Sequence, residues 1–260
     1  MSERQTALKM RHWLVSILIV GALMLGGCSS EQAGSVSSPN SSATQTTAVP
    51  AAQTSSPEMK DLPVLEGKAT VLMMVKGSPI TIEVDGTNAP ITAGNFVDLV
   101  NRGVYDGLVF HRVVRSPQPF VVQGGDPQSK DPKFPQQRLG TGGFIDPKTG
   151  NERRIPLEIK PKGAQSPLYG KTLNSASVSN APELQHTRGA VAMARSQNPD
   201  SASSQFYFAL ADLEFLDGDY AVFGKVTDGM DVVDKIQQGD RIESAKVTQG
   251  LENLKNAGNP

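Results

Sequence analysis

Two β-patterned runs open the regular part of the chain. Ala69-Thr70-Val71-Leu72-Met73-Met74-Val75 and Pro79-Ile80-Thr81-Ile82-Glu83-Val84 are separated by Lys76-Gly77-Ser78, which predicts a hairpin. The period then changes. Thr87-Asn88-Ala89-Pro90 offers cap residues and an early proline, and apolar residues recur at helical spacing from Ile91 to Asn101 until Gly103 stops them. Short strands are expected through Val109-Phe110 and Phe120-Val121-Val122. Pro127 to Arg188 is the least regular stretch, with one strand expected over Ile155–Ile159. Strand patterns return at Gly189–Ala194, Gln205–Leu210, Tyr220–Val226 and Ala245–Thr248. Met230, Val233 and Ile236 share one face of a second short helix opened near Asp228-Gly229. Many short strands with two isolated helices indicate a mainly β barrel or sandwich.

The beginning of the chain carries a different pattern. Arg4, Lys9 and Arg11 precede an apolar run from Trp13 to Leu25, the form of a secretory signal over residues 1–27. The run is shorter than the ~20 residues a membrane-spanning helix needs. Leu25-Gly26-Gly27-Cys28 looks like a bacterial lipoprotein box, which would leave an acylated Cys28 at the new N-terminus. The alternative is an uncleaved short anchor with an incidental cysteine, and either reading exports the remainder of the chain. Residues 28–61 are rich in Ser, Thr, Ala, Gln and Pro and cannot bury enough surface to offset their ordering entropy. They are expected to form a disordered tether reaching ~30–35 Å. The folded domain is then expected to span residues 62–260.

Charge and composition exclude several classes. The formal net charge is −1, and removing the signal takes it to −3, so no basic stripe for nucleic acid is expected. One cysteine excludes an internal disulfide, and His12, His111 and His186 are too scattered to hold a metal. No cofactor motif appears. Gly140-Thr141-Gly142-Gly143 lacks the lysine and strand-to-helix context of a phosphate loop and reads as a turn. His186 is expected at the surface, His111 as a satisfied core residue or one supporting the site from behind rather than a base, and Arg153-Arg154 as a solvated pair. Phe206, Phe208 and Phe223 are expected in the core, with Gly124 and Gly125 chosen for backbone geometry.

The candidate chemistry lies in a few ordered segments. Arg112 sits in Phe110-His111-Arg112-Val113, among apolar residues where a charge is costly to desolvate. Taken alone it reads as a structural ion-pair arginine. With it occur, in order, Asn88-Ala89-Pro90-Ile91-Thr92-Ala93-Gly94-Asn95-Phe96, Gln123-Gly124-Gly125-Asp126, Ala192-Met193-Ala194, Ser204-Gln205-Phe206 and Val222-Phe223-Gly224-Lys225-Val226. Over roughly Lys68 to Gly250 this set closely resembles the cyclophilins, a peptidyl-prolyl isomerase family. The resemblance implies a closed eight-stranded antiparallel β-barrel capped by two α-helices. It also implies catalysis of rotation about Xaa-Pro bonds by the domain over residues 62–260.

Such rotation is opposed by an amide barrier of about 18–20 kcal/mol, and uncatalysed exchange takes tens of seconds or longer. Neither nucleophile nor metal is required. Arg112 can donate a permanent hydrogen bond to the proline nitrogen as resonance is lost. One charge-assisted bond contributes about 1.5–3 kcal/mol, or about tenfold to a hundredfold in rate. The rest must come from gripping the ring and distorting the peptide. The resemblance makes Phe120, Val121, Tyr207, Leu216 and Tyr220 the proline pocket. It gives Gln123 and Gln205 the substrate backbone and the steadying of Arg112. Ala194 and Arg195 would line the neighbouring groove, with Phe215 at the rim. Gln205 and Tyr207 are two apart on a strand and face one side, which turns Phe206 into the core.

Departures from the better-known eukaryotic pattern are Val121, Arg195, Tyr207, Phe215 and Tyr220, of which Arg195, Phe215 and Tyr220 resemble bacterial members. The hydroxyl of Tyr207 requires a partner or a wet rim. The interval from Asp126 to Gly189 is longer than in compact cyclophilins and could be a lid, a partner surface or a plain surface elaboration. The expected protein is a monomeric, membrane-tethered extracytoplasmic isomerase whose partners are proline-containing unfolded polypeptides. The alternative is a proline-peptide-binding chaperone or scaffold with little isomerase activity, suggested by Val121 and Tyr207.

Overall fold

The computed structural model describes residues 59–256. The expected signal, Cys28 and nearly all of the tether lie outside them. The described residues open with a 3-10 turn at Met59–Asp61. Leu62 behind it is buried.

Eight strands form one antiparallel sheet: β1 (Lys68–Val75), β2 (Ser78–Asp85), β3 (Arg112–Val114), β4 (Val121–Gly124), β5 (Ala190–Met193), β6 (Phe206–Ala209), β7 (Val222–Asp228) and β8 (Ile242–Gln249). Their spatial order is β8-β1-β2-β7-β5-β6-β4-β3. The first hairpin follows the alternation read from the sequence, with Ala69, Val71, Met73 and Val75 buried against Ile80, Ile82 and Val84. Its turn is the two residues Lys76 and Gly77, both at positive φ (52° and 71°), the geometry that matches strand twist. The sheet curls until the flanks of its edge strands meet. Gly107 N–H bonds Ile242 O, Phe110 N–H bonds Asp240 O, and Val109 forms an isolated bridge with Arg241. The strand expected at Val109-Phe110 is therefore this single bridge. Regular pairing starts at Arg112, opposite Gln123.

Helix α1 (Pro90–Asn101) closes the core and is buried from Ile91 through Val100. Proline at its first position and Gly103 at φ +64° bound it, as the sequence implied. Its cap differs from the expectation. Asn88 bonds Asp85 instead, and Ala89 supplies no side-chain cap. The orphan N–H groups of Ile91 and Thr92 donate to the carboxylate of Glu158, at 3.1 and 2.7 Å. Helix α2 (Met230–Lys235) follows Gly229, whose φ is +84°, and buries Val233. Phe96, Tyr105, Phe110, Phe206, Phe208 and Phe223 fill the centre with tilted and edge-to-face contacts.

The long stretch between Pro127 and Arg188 is built into this core. The expected strand at Ile155–Ile159 reduces to the pair Glu158–Ile159 with Leu168–Tyr169, plus a bridge from Ile155 to Ala202. Arg153 is not solvated: its side chain is 8% exposed and donates to Asp98 at 2.6 Å and Asp146 at 3.2 Å. Only Arg154 keeps the expected surface position, paired with Glu152. Leu157, Ile159 and Leu173 pack with Ala221 in a small apolar cluster. A plain surface elaboration would not seal a helix end and a buried carboxylate in this way. Among the described residues no helix is long and apolar enough to cross a membrane.

Candidate active site

Strand register decides which side chains meet. Val113, Val122, Phe208 and Val191 form one cross-strand row, and its neighbour is Arg112, Gln123, Tyr207 and Ala192. The first row faces the core. The second faces outward, because successive residues alternate sides. Phe206 is fully buried on the inner side, as expected from its spacing to Tyr207. Gly124 lies against Phe110, where an added Cβ would come within 3.0 Å of the ring.

The outer row would be an exposed sheet face if nothing covered it. The segment 211–220 folds across it, and Val121, Ala192, Tyr207, Ala209, Leu213 and Val222 form a second apolar cluster beneath. Between them is a cavity of about 210 Å³ lined by Arg112, Phe120, Val121, Gln123, Ala194, Arg195, Tyr207, Leu216 and Tyr220. Nine residues singled out from the sequence are thus brought to one place. Gln205 stands just outside, in an adjoining cavity of about 400 Å³ that shares Gln123, Ala194 and Arg195. That larger space is lined by Thr141, Glu152, Arg154 and Asn198 and has no aromatic wall, so the smaller one suits an apolar ring. Phe215 lies at the rim, 69% exposed and stacked on Phe120 with ring centroids 6.0 Å apart.

Arg112 is exposed and makes no ion pair within 4 Å among the described residues. This corrects the expectation of a charge costly to desolvate: in the free protein its desolvation cost is small. Its guanidinium lies over the Phe120 face, 5.4 Å from the centroid. Nη1 donates to Gln123 Oε1 at 3.3 Å, Gln123 Nε2 to Gln205 Oε1 at 3.1 Å, and Gln205 Nε2 to Gly142 O at 2.7 Å. The Gly140–Gly143 turn is no phosphate loop. Its Gly140 and Gly142 N–H groups are spent on the buried Asp126 carboxylate. Arg195 is pinned by two bonds to Asp219 O, at 3.0 and 2.7 Å, and lies 4.7 Å over the Tyr220 ring.

Two histidines differ from their expected roles. His111 is not satisfied: neither ring nitrogen finds a partner, and Gly140 covers Nε2. Burial lowers its pKa, so it sits neutral beneath the loop. His186 is not at the surface but 2% exposed. Its Nδ1 contacts Asp217 Oδ1 at 2.7 Å and its Nε2 contacts the Tyr207 hydroxyl at 2.9 Å. Burial lowers its pKa against the opposing pull of Asp217. A neutral ring bonded this way carries its proton on Nδ1 and accepts from the phenol. Tyr207 therefore has the partner that its hydroxyl required, and burial pushes its own pKa up. His186, Asp217 and Asp126 are the residues that sequence reasoning missed. The one available signal was the buried phenol itself.

Comparison with known proteins accords with this geometry. The family model described as cyclophilin type peptidyl-prolyl cis-trans isomerase/CLD matches residues 70–257. A putative thylakoid lumen peptidyl-prolyl cis-trans isomerase of Synechocystis is 46% identical over 210 residues, 76% of this chain and 52% of that protein. A chloroplastic peptidyl-prolyl cis-trans isomerase of Arabidopsis thaliana is 42% identical over 217 residues, 76% of this chain and 46% of that protein. The chain thus spans about half the length of these two relatives. A crystal structure of a Cryptosporidium parvum cyclophilin superposes with a TM-score of 0.51 at 22% identity, covering 70% of this chain and 98% of that one, which supports the fold.

Proposed function

The chain belongs to the cyclophilin-type peptidyl-prolyl cis-trans isomerases, and on that premise we propose that it catalyses rotation about Xaa-Pro bonds in exported polypeptides. The observation that carries the reading is Arg112 held over Phe120 at the mouth of an apolar cavity. The proline ring would enter between Phe120, Val121, Tyr207, Leu216 and Tyr220. Gln123 and Gln205 would hold the peptide backbone on either side. As the amide twists, its nitrogen gains lone-pair density and accepts from the Arg112 guanidinium. No proton is transferred and no bond is broken except the partial π bond of the amide. The alternative holding module draws its motive from Val121 and Tyr207, of which only Tyr207 would add a polar group to the cavity. Because that hydroxyl is turned onto His186, the cavity keeps an apolar lining suited to a ring, which favours the enzyme.

The same reading treats the curled sheet as a closed barrel, supported by the backbone bonds of Leu108 and Phe110 across its seam. It takes the protein as a monomer that acts outside the cytoplasm, a location supported by the lumenal and chloroplastic relatives. Anchoring through an acylated Cys28 belongs to the proposal too. Labelling with palmitate should be lost in Cys28→Ser. The activity is tested by NMR exchange spectroscopy on an Ala-Pro peptide. Accelerated exchange with the wild type and its loss in a folded Arg112→Ala variant are expected. Equal exchange in both would overturn the assigned role of Arg112.

A further inference from the structure

In the chain Tyr207–His186–Asp217 only Tyr207 lines the proline cavity, and the two residues behind it join the floor of the pocket to its wall. Tyr207 lies in the outer row of the sheet. Asp217 follows Leu216 in the segment that closes the cavity, and Leu216 lines that cavity. His186 lies between, with both ring nitrogens engaged. Its backbone is engaged as well: His186 N–H donates to Asp217 Oδ1 at 2.8 Å, and Leu213 N–H donates to His186 O at 2.7 Å. Floor and wall are thus tied through one residue.

That tie is more than ordinary packing. The segment from Glu214 to Tyr220 has no regular ladder and contains only a one-turn 3-10 helix at Glu214–Leu216. Its position over the sheet is set by bonds from outside the segment. Three cross-links supply them: His186 to Asp217, Arg195 to Asp219 O, and Leu173 N–H to Gly218 O. Only the first continues into the pocket floor. The Tyr207 hydroxyl, if free to rotate toward the cavity, would bring a polar group beside the proline ring. Bonded to His186, it keeps the phenol plane fixed, edge-on to Tyr220 with centroids 6.2 Å apart.

We propose that His186, backed by Asp217, is a positioning residue for the proline pocket. Through Tyr207 on one side and the Leu216 wall on the other, it fixes the width and the apolar character of the cavity. The inference rests on the isomerase reading of that cavity. Proline-ring recognition should therefore depend on the Tyr207–His186 bond, while the Arg112 step should not.

The test is a double-mutant cycle of Tyr207→Phe and His186→Gln, read by exchange spectroscopy and by peptide titration on the same Ala-Pro peptide. Each single variant should raise KM and the peptide Kd by about threefold to tenfold, the size of one buried hydrogen bond. The rate at saturation should change little. The double variant should be no worse than the poorer single one, since both remove the same bond. Tyr207→Phe removes one oxygen without changing shape and stays interpretable if His186→Gln fails to fold. Unchanged KM and Kd in Tyr207→Phe, or a fall in the saturating rate alone, would overturn the proposal. A wild type that binds the peptide without accelerating exchange would overturn the isomerase reading, whereas the Kd cycle would still decide the role of His186.

Discussion

Arg112 and Gln123 stand opposite each other on adjacent antiparallel strands, and the guanidinium donates to the amide oxygen at 3.3 Å. At that length the contact orients more than it binds. The Phe120 face supplies the second hold. Replacing Gln123 by Ala would leave Arg112 one anchor and remove a backbone ligand for the peptide. A fall in kcat/KM of about tenfold is expected, close to one hydrogen bond to a charged group.

Arg112 itself offers a sharper comparison. Arg112→Ala should lower kcat/KM by about tenfold to a hundredfold. Arg112→Lys should restore little of it. A compact ammonium cannot face Gln123, lie flat on Phe120 and reach the proline nitrogen at once, whereas a planar fork can. Because Arg112 is exposed, both variants should keep wild-type stability within about 0.5 kcal/mol by chemical denaturation. Full activity in Arg112→Lys would mean that charge alone suffices.

How much of the fold and the site is legible in the sequence depends on where each residue finds its partner. The hairpin at Lys76-Gly77 is legible because turn and alternation are local. The Arg112–Gln123–Tyr207 row is not: alternation tells which residues share a side, not which strands are neighbours. Those residues are reached by resemblance to a family, and register explains why they meet. His186 escapes a sequence reading because its partners lie 21 and 31 positions away, and a lone histidine carries no signal of its own. Arg153 and Glu158 escape it for the same reason. Charged residues in a Gly- and Pro-rich stretch read as solvated until a helix end or a buried aspartate is brought against them.

The Glu158 carboxylate caps α1 from 66 positions away and is 1% exposed. Glu158→Ala should leave the Ile91 and Thr92 N–H groups buried and unpaired. A loss of about 1–3 kcal/mol is expected in urea denaturation. Glu158→Gln keeps an acceptor and should lose less.

Leu173 tests whether the long stretch supports the pocket wall. Its side chain is 5% exposed, it packs with Leu157, Ile159 and Ala221, and its N–H donates to Gly218 O beside Asp217. Leu173→Ala should cost about 2–5 kcal/mol of stability. At a temperature where the variant is fully folded, peptide KM should still rise: alanine keeps the N–H bond to Gly218 O, but the leucine side chain packed against Gly218 is lost. A variant that is destabilised yet binds peptide normally would show the stretch to be independent of the site.

Protonation of His186 links the pocket to pH. Burial holds its pKa below the ordinary value of 6.5, so between the two values the unfolded chain binds more protons than the folded one. Stability that the neutral ring contributes is therefore complete above pH 6.5 and declines as pH falls through the folded value. His111 is lowered in the same direction, also by burial, and adds to the decline. Glu158 opposes it, since burial raises its pKa above 4.5, and stability from that group falls as pH rises. The diagnostic quantity is thus the difference between wild type and His186→Gln. Denaturation midpoints should differ most above pH 6.5 and converge as pH falls below it, because acid removes from the wild type what the substitution has already removed. A protonated His186 would donate from Nε2 and could no longer accept from Tyr207, so peptide KM of the wild type should rise over the same interval. Midpoints that stay parallel across the range would mean that His186 does not titrate as a buried neutral acceptor.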